Sequence, residues 1–199
     1  MKKINIFLTV LLLSALMLSA QTKWSFDKSH SKIGFTVSHM VITDVDGKFN
    51  DYEGTVVTNG DTFEGAQVNF TIQTASIFTD NENRDNHLRS DDFFAADQHP
   101  QITFVGKSMT KVSDDKYKLV GDLTMRGTTK EVTLDVKHNG TVQDPWGNTK
   151  AGFKLTGSVD RFEYGLNWNK AIEAGGLVVG KTVYIDIDVQ LKKETNTES

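Results

Sequence analysis

Apolar and polar residues alternate with period two through most of this chain, the spacing of strands with one buried face. Ile33, Phe35, Val37 and His39 share one phase, against Lys32, Thr36 and Ser38. Val68, Phe70 and Ile72 repeat it, and Ile102 and Phe104 follow Pro100 in the same manner. Tyr117, Leu119, Gly121, Leu123 and Met125 lie in one phase. Arg126-Gly127-Thr128 then turns the chain, and Val132, Leu134 and Val136 return. After the turn cluster Asp144-Pro145-Trp146-Gly147-Asn148, the apolar phase is Ala151, Phe153, Leu155 and Val159. The clearest run is the last: Val183, Ile185, Ile187, Val189 and Leu191 against Tyr184, Asp186, Asp188 and Gln190. With Trp24–Asp27 and a less regular pair around Phe49–Val57, the pattern predicts about eight strands. One apolar and one polar face per strand means antiparallel sheet. Such a sheet can close into a barrel or split into a sandwich, and periodicity alone does not choose.

One segment breaks the rhythm. Thr79-Asp80-Asn81-Glu82 has the form of a capping box, and from there to Ala96 the period is no longer two. A helix or helical loop near residues 80–96 is predicted, with Asp85 and Arg89 spaced to pair. It ends at His99-Pro100.

The first twenty residues stand apart. Lys2 and Lys3 precede an almost wholly apolar stretch from Ile4 to Leu18, and Leu18-Ser19-Ala20 ends on a small residue. This is the layout of a secretory signal peptide, too short and wrongly flanked for a membrane anchor. Cleavage after Ala20 leaves one domain over residues 21–191 and a polar, flexible tail over residues 192–199. Losing Lys2 and Lys3 turns the formal charge from −4 to −6. An acidic export product does not fit nucleic-acid binding, which requires a basic face. The chain has no cysteine, which removes thiol nucleophiles, dithiol redox chemistry and thiolate metal sites.

The remaining chemistry is sparse. His30, His39, His87, His99 and His138 are scattered, with no close ligand pair, so no metal site is expected. There is no nucleophile elbow or triad spacing for a hydrolase. Gly175 and Gly180-Lys181-Thr182 satisfy the letters of a phosphate loop, but the loop needs a helix after it. Here the clearest strand of the chain follows, so a glycine-rich turn is expected. Arg84, Asp85, His87, Arg89, Asp91 and Asp92 form the densest polar group. Its near-balanced charge favours internal pairing that pins the helix over a barrel end, with anionic head-group binding as the rival. Gly34, Gly106, Gly121 and Gly157 within strand patterns lean towards an open interior, which an eight-stranded barrel can use to hold one small ligand.

Several stretches together resemble the YceI-like family. They are Trp24-Ser25-Phe26-Asp27, His30-Ser31-Lys32-Ile33-Gly34-Phe35 with His39, and Gly47-Lys48-Phe49. Arg84-Asp85, His87-Leu88-Arg89-Ser90, Asp92-Phe93-Phe94 and Pro100-Gln101-Ile102-Thr103-Phe104 continue the match. Gly121-Asp122-Leu123-Thr124-Met125-Arg126-Gly127-Thr128-Thr129-Lys130, Gly152-Phe153 and Val179-Gly180 complete it, with a departure at Phe162-Glu163-Tyr164-Gly165.

The resemblance implies an all-β, extended, lipocalin-like antiparallel barrel of eight strands, exported to the periplasm. It further implies binding of a polyisoprenoid or similar long-chain amphiphile without catalysis, and pairing with a second copy. No cofactor is expected beyond a bound polyisoprenoid, quinone-like or fatty-acid-type lipid. The inward phases nominate Ile33, Phe35, Val37, Phe70, Ile72, Phe104, Leu119, Leu123, Met125, Leu134, Phe153, Leu155, Val183 and Ile185 as the apolar pocket. His39, Arg84 and His87 are nominated for a polar mouth. The rival function is a periplasmic enzyme or redox accessory protein using histidines at that mouth.

Overall fold

The computed structural model describes residues 21–171 and 177–195, so residues 1–20, read from the sequence as a signal peptide, and the last four residues of the tail lie outside it. The strands are β1 (Gln21–Phe26), β2 (Lys32–His39), β3 (Thr43–Phe49), β4 (Tyr52–Asn59), β5 (Thr62–Gln73) and β6 (Ile77–Phe78). They continue as β7 (Gln101–Ser113), β8 (Lys116–Met125), β9 (Thr128–Gln143), β10 (Thr149–Asp160) and β11 (Val179–Lys193), with one α-helix, α1 (Glu82–Arg89).

These segments form eight long antiparallel runs, because the first three are each broken once. β1 and β2 are one run interrupted by a 3-10 turn at Lys28–His30, β3 and β4 another, and β5 and β6 a third interrupted at Thr74–Ser76. The breaks sit side by side and bond to one another. Asn50 N–H donates to the Ser76 carbonyl (3.1 Å), Gln73 N–H to Asp51 (2.9 Å), and the Tyr52 hydroxyl to Ser31 (3.1 Å). Asp27 anchors the first break: its carboxylate accepts from Ser29, Lys150 Nζ (2.8 Å) and Gln190 Nε2 (3.0 Å). The Lys150 hydrogen bond, aided by Ser29, holds this carboxyl well below the usual range.

The runs pair in sequence order, and the last closes on the first. The C-terminal half of β11 pairs with β1 (Phe26 opposite Leu191) and its N-terminal half with β2 (Val37 opposite Val183). Closure pairs every strand on both sides except short β6, which bonds only to β3. β11 also runs past Leu191: Lys192 and Lys193 lie opposite Ser25 and Trp24, so the tail begins later than the sequence pattern indicates. Register shifts interrupt several of the pairings. At Gly65 (φ +72°), the left-handed backbone lets Phe63 and Ala66 both point inward although they are three apart.

The predicted helix is real but shorter, and its cap is different. Asn81 caps α1 by accepting from Arg84 N–H (3.0 Å), and the Thr79 hydroxyl instead donates to buried Asp85 (2.6 Å). Asp85 and Arg89 do not pair. Arg89 donates to the carbonyls of Ala75 and Ile77 and to Asn86, which ties α1 to the end of the third run. Residues 90–99 continue as turns that bury Phe93, Ala95 and Ala96.

Candidate functional site

The barrel interior has two unlike poles. At the pole where β1 begins and β11 ends, with the β4–β5 and β9–β10 hairpins, inward side chains are buried. Trp24 donates through Nε1 to Thr58 (3.1 Å) and its ring lies 5.1 Å from Phe63. Phe63 meets Phe153 edge-on at 4.7 Å, and His138 stacks on Phe153 at 4.8 Å. Burial in this cluster pushes the His138 imidazole below its ordinary pKa.

Towards the other pole the inward residues are Phe35, Val37, Leu123, Val132, Val159, Val183 and Ile185. They share the phase of the packed residues yet remain only partly buried. Valine and isoleucine are short and stiff at χ1, so from opposite walls they do not meet across the barrel. The result is an internal cavity of about 240 Å³. A site needs only about 10–15 Å³ of such space to hold one water, so this is no packing defect.

The cavity wall is apolar almost throughout. All fourteen residues nominated for the pocket contribute to it. Among those not nominated, Phe26, Phe49, Val56, Ile102, Met109 and Val136 come from strands, and Leu88, Phe93 and Phe94 come from α1 and the turns after it. Phe94 stands edge-on to Phe49 at 6.1 Å, so the α1 segment roofs this pole. The sequence places this helix over a barrel end, but Leu88, Phe93 and Phe94 were not legible as wall residues, because strand periodicity does not reach this segment.

None of His39, Arg84 and His87 belongs to the wall. Arg84 donates Nε to the Thr79 hydroxyl (2.8 Å) and Nη2 to the Thr79 carbonyl (2.7 Å), which locks the start of α1. His87 lies 2.8 Å from Asp92 and edge-on to Phe93 and Trp168, on the outer side of the roof. His39 ends β2, half-buried, opposite Thr43 and Val179. Local hydrogen bonds take the side chains of Arg84 and His87, while His39 is held in the hairpin through its backbone pairing.

The charged residue in the wall is Arg161. Its Nε donates to the Gly180 carbonyl (2.9 Å), Nη2 to Val179 (3.1 Å) and Nη1 to Leu166. It is buried, and burial lowers its pKa. A signal for it existed: extending the alternation of Leu155, Gly157 and Val159 by one step places Arg161 inward. It opens the 3-10 turn Arg161–Tyr164, which Gly165 ends in the left-handed region (φ +76°). Burial pushes the Tyr164 phenol up to about 12. The phosphate-loop letters lead into β11 and no helix. Gly180 offers its carbonyl to Arg161, and Lys181 pairs with Asp160 (3.4 Å). Among the described residues no cluster of three metal-ligating side chains occurs.

The in-strand glycines act differently from the open space inferred for them. A Cβ at Gly121 would overlap Phe104, one at Gly157 would stand 2.6 Å from Leu134, one at Gly106 3.0 Å from the Val68 carbonyl, and one at Gly34 2.7 Å from that of Asp186. Gly47 lies opposite Phe35 and would overlap its ring. The glycines seat large neighbours against the backbone, and it is the short aliphatic residues that leave the space.

The chain matches the YceI-like domain over residues 24–191. A UPF0312 protein of Staphylococcus aureus strain USA300 is 39% identical over 170 residues, covering 85% of this chain and 96% of its own. The crystal structure of a Campylobacter jejuni YCEI protein superposes with a TM-score of 0.70 at 32% identity, over 85% of this chain and 96% of that one. Burkholderia cenocepacia BcnA superposes at 0.72 with 20% identity, over 83% and 98%. A polyisoprenoid binding domain from Saccharophagus degradans superposes at 0.58 with 16% identity, over 86% and 98%. These last two similarities speak to the fold. With the family signature spanning the whole barrel and a 39% identical relative of nearly equal length, the chain belongs to the YceI-like family.

Proposed function

We propose that this is an exported lipid-binding protein that holds the apolar chain of a polyisoprenoid, quinone-like or fatty-acid-type amphiphile inside its barrel, without catalysis. The carrying observation is the cavity, walled by apolar side chains apart from Gly34 and Arg161. An apolar cavity of this kind excludes water and accepts apolar matter. The polyisoprenoid-binding description of the Saccharophagus degradans domain supports the same ligand class.

Energetics put the affinity in the tail. Each buried CH₂ is worth about 0.8 kcal/mol, so a dozen tail carbons offer roughly 10 kcal/mol gross. A charged hydrogen bond adds about 1.5–3 kcal/mol, and association then removes several. The fourteen wall residues nominated from the sequence are the proposed tail contacts. The reading includes export by the leader with cleavage after Ala20, a periplasmic site of action, no nucleic-acid partner and pairing of two copies. Roles in transport, storage or stress protection are compatible with it.

The test is organic extraction of protein purified from its native host, with mass spectrometry of the extract and of the intact chain. A lipid at near one per chain and a mass lacking residues 1–20 are expected. Protein repeatedly free of lipid, or retaining residues 1–20, overturns the binding or the export reading respectively.

A further inference from the structure

The β2–β3 hairpin ends in an unusual tip. His39 and Thr43 are its last pair, and Met40, Val41 and Ile42 form the loop, 38%, 71% and 83% exposed. Met40 (φ +54°) and Val41 (φ +66°) both hold left-handed backbone. Glycine, asparagine and aspartate take such positions with least strain, and a β-branched residue there is an outlier. Three large apolar side chains are thus held out in water by a backbone that a polar Asn-Gly loop would adopt more easily. Folding does not require this, so a contact outside the chain is the natural reason.

The tip adjoins the hollow pole. Val37, two residues before the last hairpin pair, is in the cavity wall, as is Val179, which lies opposite His39. Met40 N–H donates to the Val178 carbonyl (2.8 Å), next to exposed Leu177. Cavity-wall residues therefore lie within a few positions of the exposed apolar tip, on β2 and on β11 beside it.

We propose that the Met40–Val41–Ile42 tip docks the barrel on a neutral lipid surface, so that an apolar chain passes between bilayer and cavity without crossing water. This rests on the lipid-binding reading above. Two observations select this occupant. A stable protein interface takes about 20–30 residues a side, far more than this tip presents, whereas a few apolar residues suffice for reversible interfacial anchoring. The flanking Asp44 and Asp46 are exposed, and the mature chain is acidic, so anionic lipid offers no attraction.

The experiment is flotation of the mature chain with vesicles of dioleoylphosphatidylcholine, compared with Val41→Asp, Ile42→Asp and Val41→Gly. Wild type is expected to float. Both Asp variants should float at least tenfold less, with unchanged far-UV and near-UV spectra. Val41→Gly should float less while melting higher, because it relieves the left-handed strain. Raising salt from about 0.1 to 0.5 M should leave wild-type flotation unchanged, since screening acts on charge. Wild type that stays unbound, variants that float equally, or flotation that requires anionic lipid would each overturn the proposal. So would an Asp variant that turns a dimer into a monomer without altering flotation, since the tip would then serve a second copy. N-phenyl-1-naphthylamine, an apolar fluorophore added without vesicles, reports the cavity alone. Equal binding by wild type and Asp variants is expected. Loss of its binding by wild type with flotation intact would refute the cavity reading and leave the docking site standing.

Discussion

The two poles of one barrel are built on the same alternation and end in opposite states. At the pole where β1 begins and β11 ends, Trp24, Phe63 and Phe153 meet ring to ring and Tyr117, Ala66 and Ala151 are buried, with Met109 and Phe153 bounding the cavity from this side. At the other, Val37, Val132, Val159, Val183 and Ile185 occupy equivalent inward positions and stop short. An inward apolar residue therefore does not by itself mean a packed core. Side-chain length across the barrel decides, and large rings at one pole plug what stiff aliphatics at the other leave open. The plug also supplies the rigidity that lets the open pole persist without collapse.

The comparison breaks most directly by truncation. Phe153→Ala removes the ring between Phe63 and His138 in a filled region and should cost about 3–5 kcal/mol in chemical denaturation. Ile185→Ala enlarges a space that already exists, so it should cost about 2 kcal/mol or less, at the bottom of the range for such changes. Similar losses at both sites would show that the poles are packed alike.

Enlargement tests the same contrast from the other side. Leu119 touches the cavity but is only 3% exposed, so Leu119→Trp should overpack and lose about 1–3 kcal/mol. Val183→Phe, from the hollow wall, should hold the melting temperature and exclude bound lipid. Destabilisation by Val183→Phe without loss of lipid would contradict the open pole. Gly47→Ala lies between: the new Cβ displaces Phe35 from its seat, and a loss of about 1–2 kcal/mol with altered ligand uptake is expected, read by melting and extraction together.

The smallest effect is protonic and belongs to the packed pole. Burial lowers the His138 pKa below that of the unfolded chain, near 6.5. As pH falls through 6.5 the unfolded state takes up its proton first, so stability should decline as pH drops below about 6.5. His138→Gln should flatten that part of the stability curve. Lower still, Asp27 adds stability that is present above about pH 4 and lost as acid protonates it, because its folded pKa is depressed by Lys150. A His138→Gln curve as steep as wild type would remove the imidazole from the account.

Much of this was legible in the chain itself. Period-two alternation marks the strands and assigns each wall residue to the inside, since side-chain direction along a strand follows from local geometry alone. That is why all fourteen nominated residues share the cavity wall. The same alternation, carried one step beyond Val159, reaches Arg161. Closure was different: a barrel and a sandwich use the same inward phase, and the choice lies in β11 pairing with both β1 and β2, 165 residues away at Phe26–Leu191 and 146 at Val37–Val183. The polar nominations lie outside the wall for a related reason. His39 continues the inward phase of β2 to its end, and Arg84 and His87 come from the densest polar group. Yet short-range hydrogen bonds to Thr79 and Asp92 hold Arg84 and His87, and β2 ends at His39 beyond the wall. Inward or outward direction can be read from the chain alone, because it depends on neighbours one and two residues away. Which of those inward faces meet and which enclose space was decided only by the tertiary structure, because it depends on the distance between opposite walls.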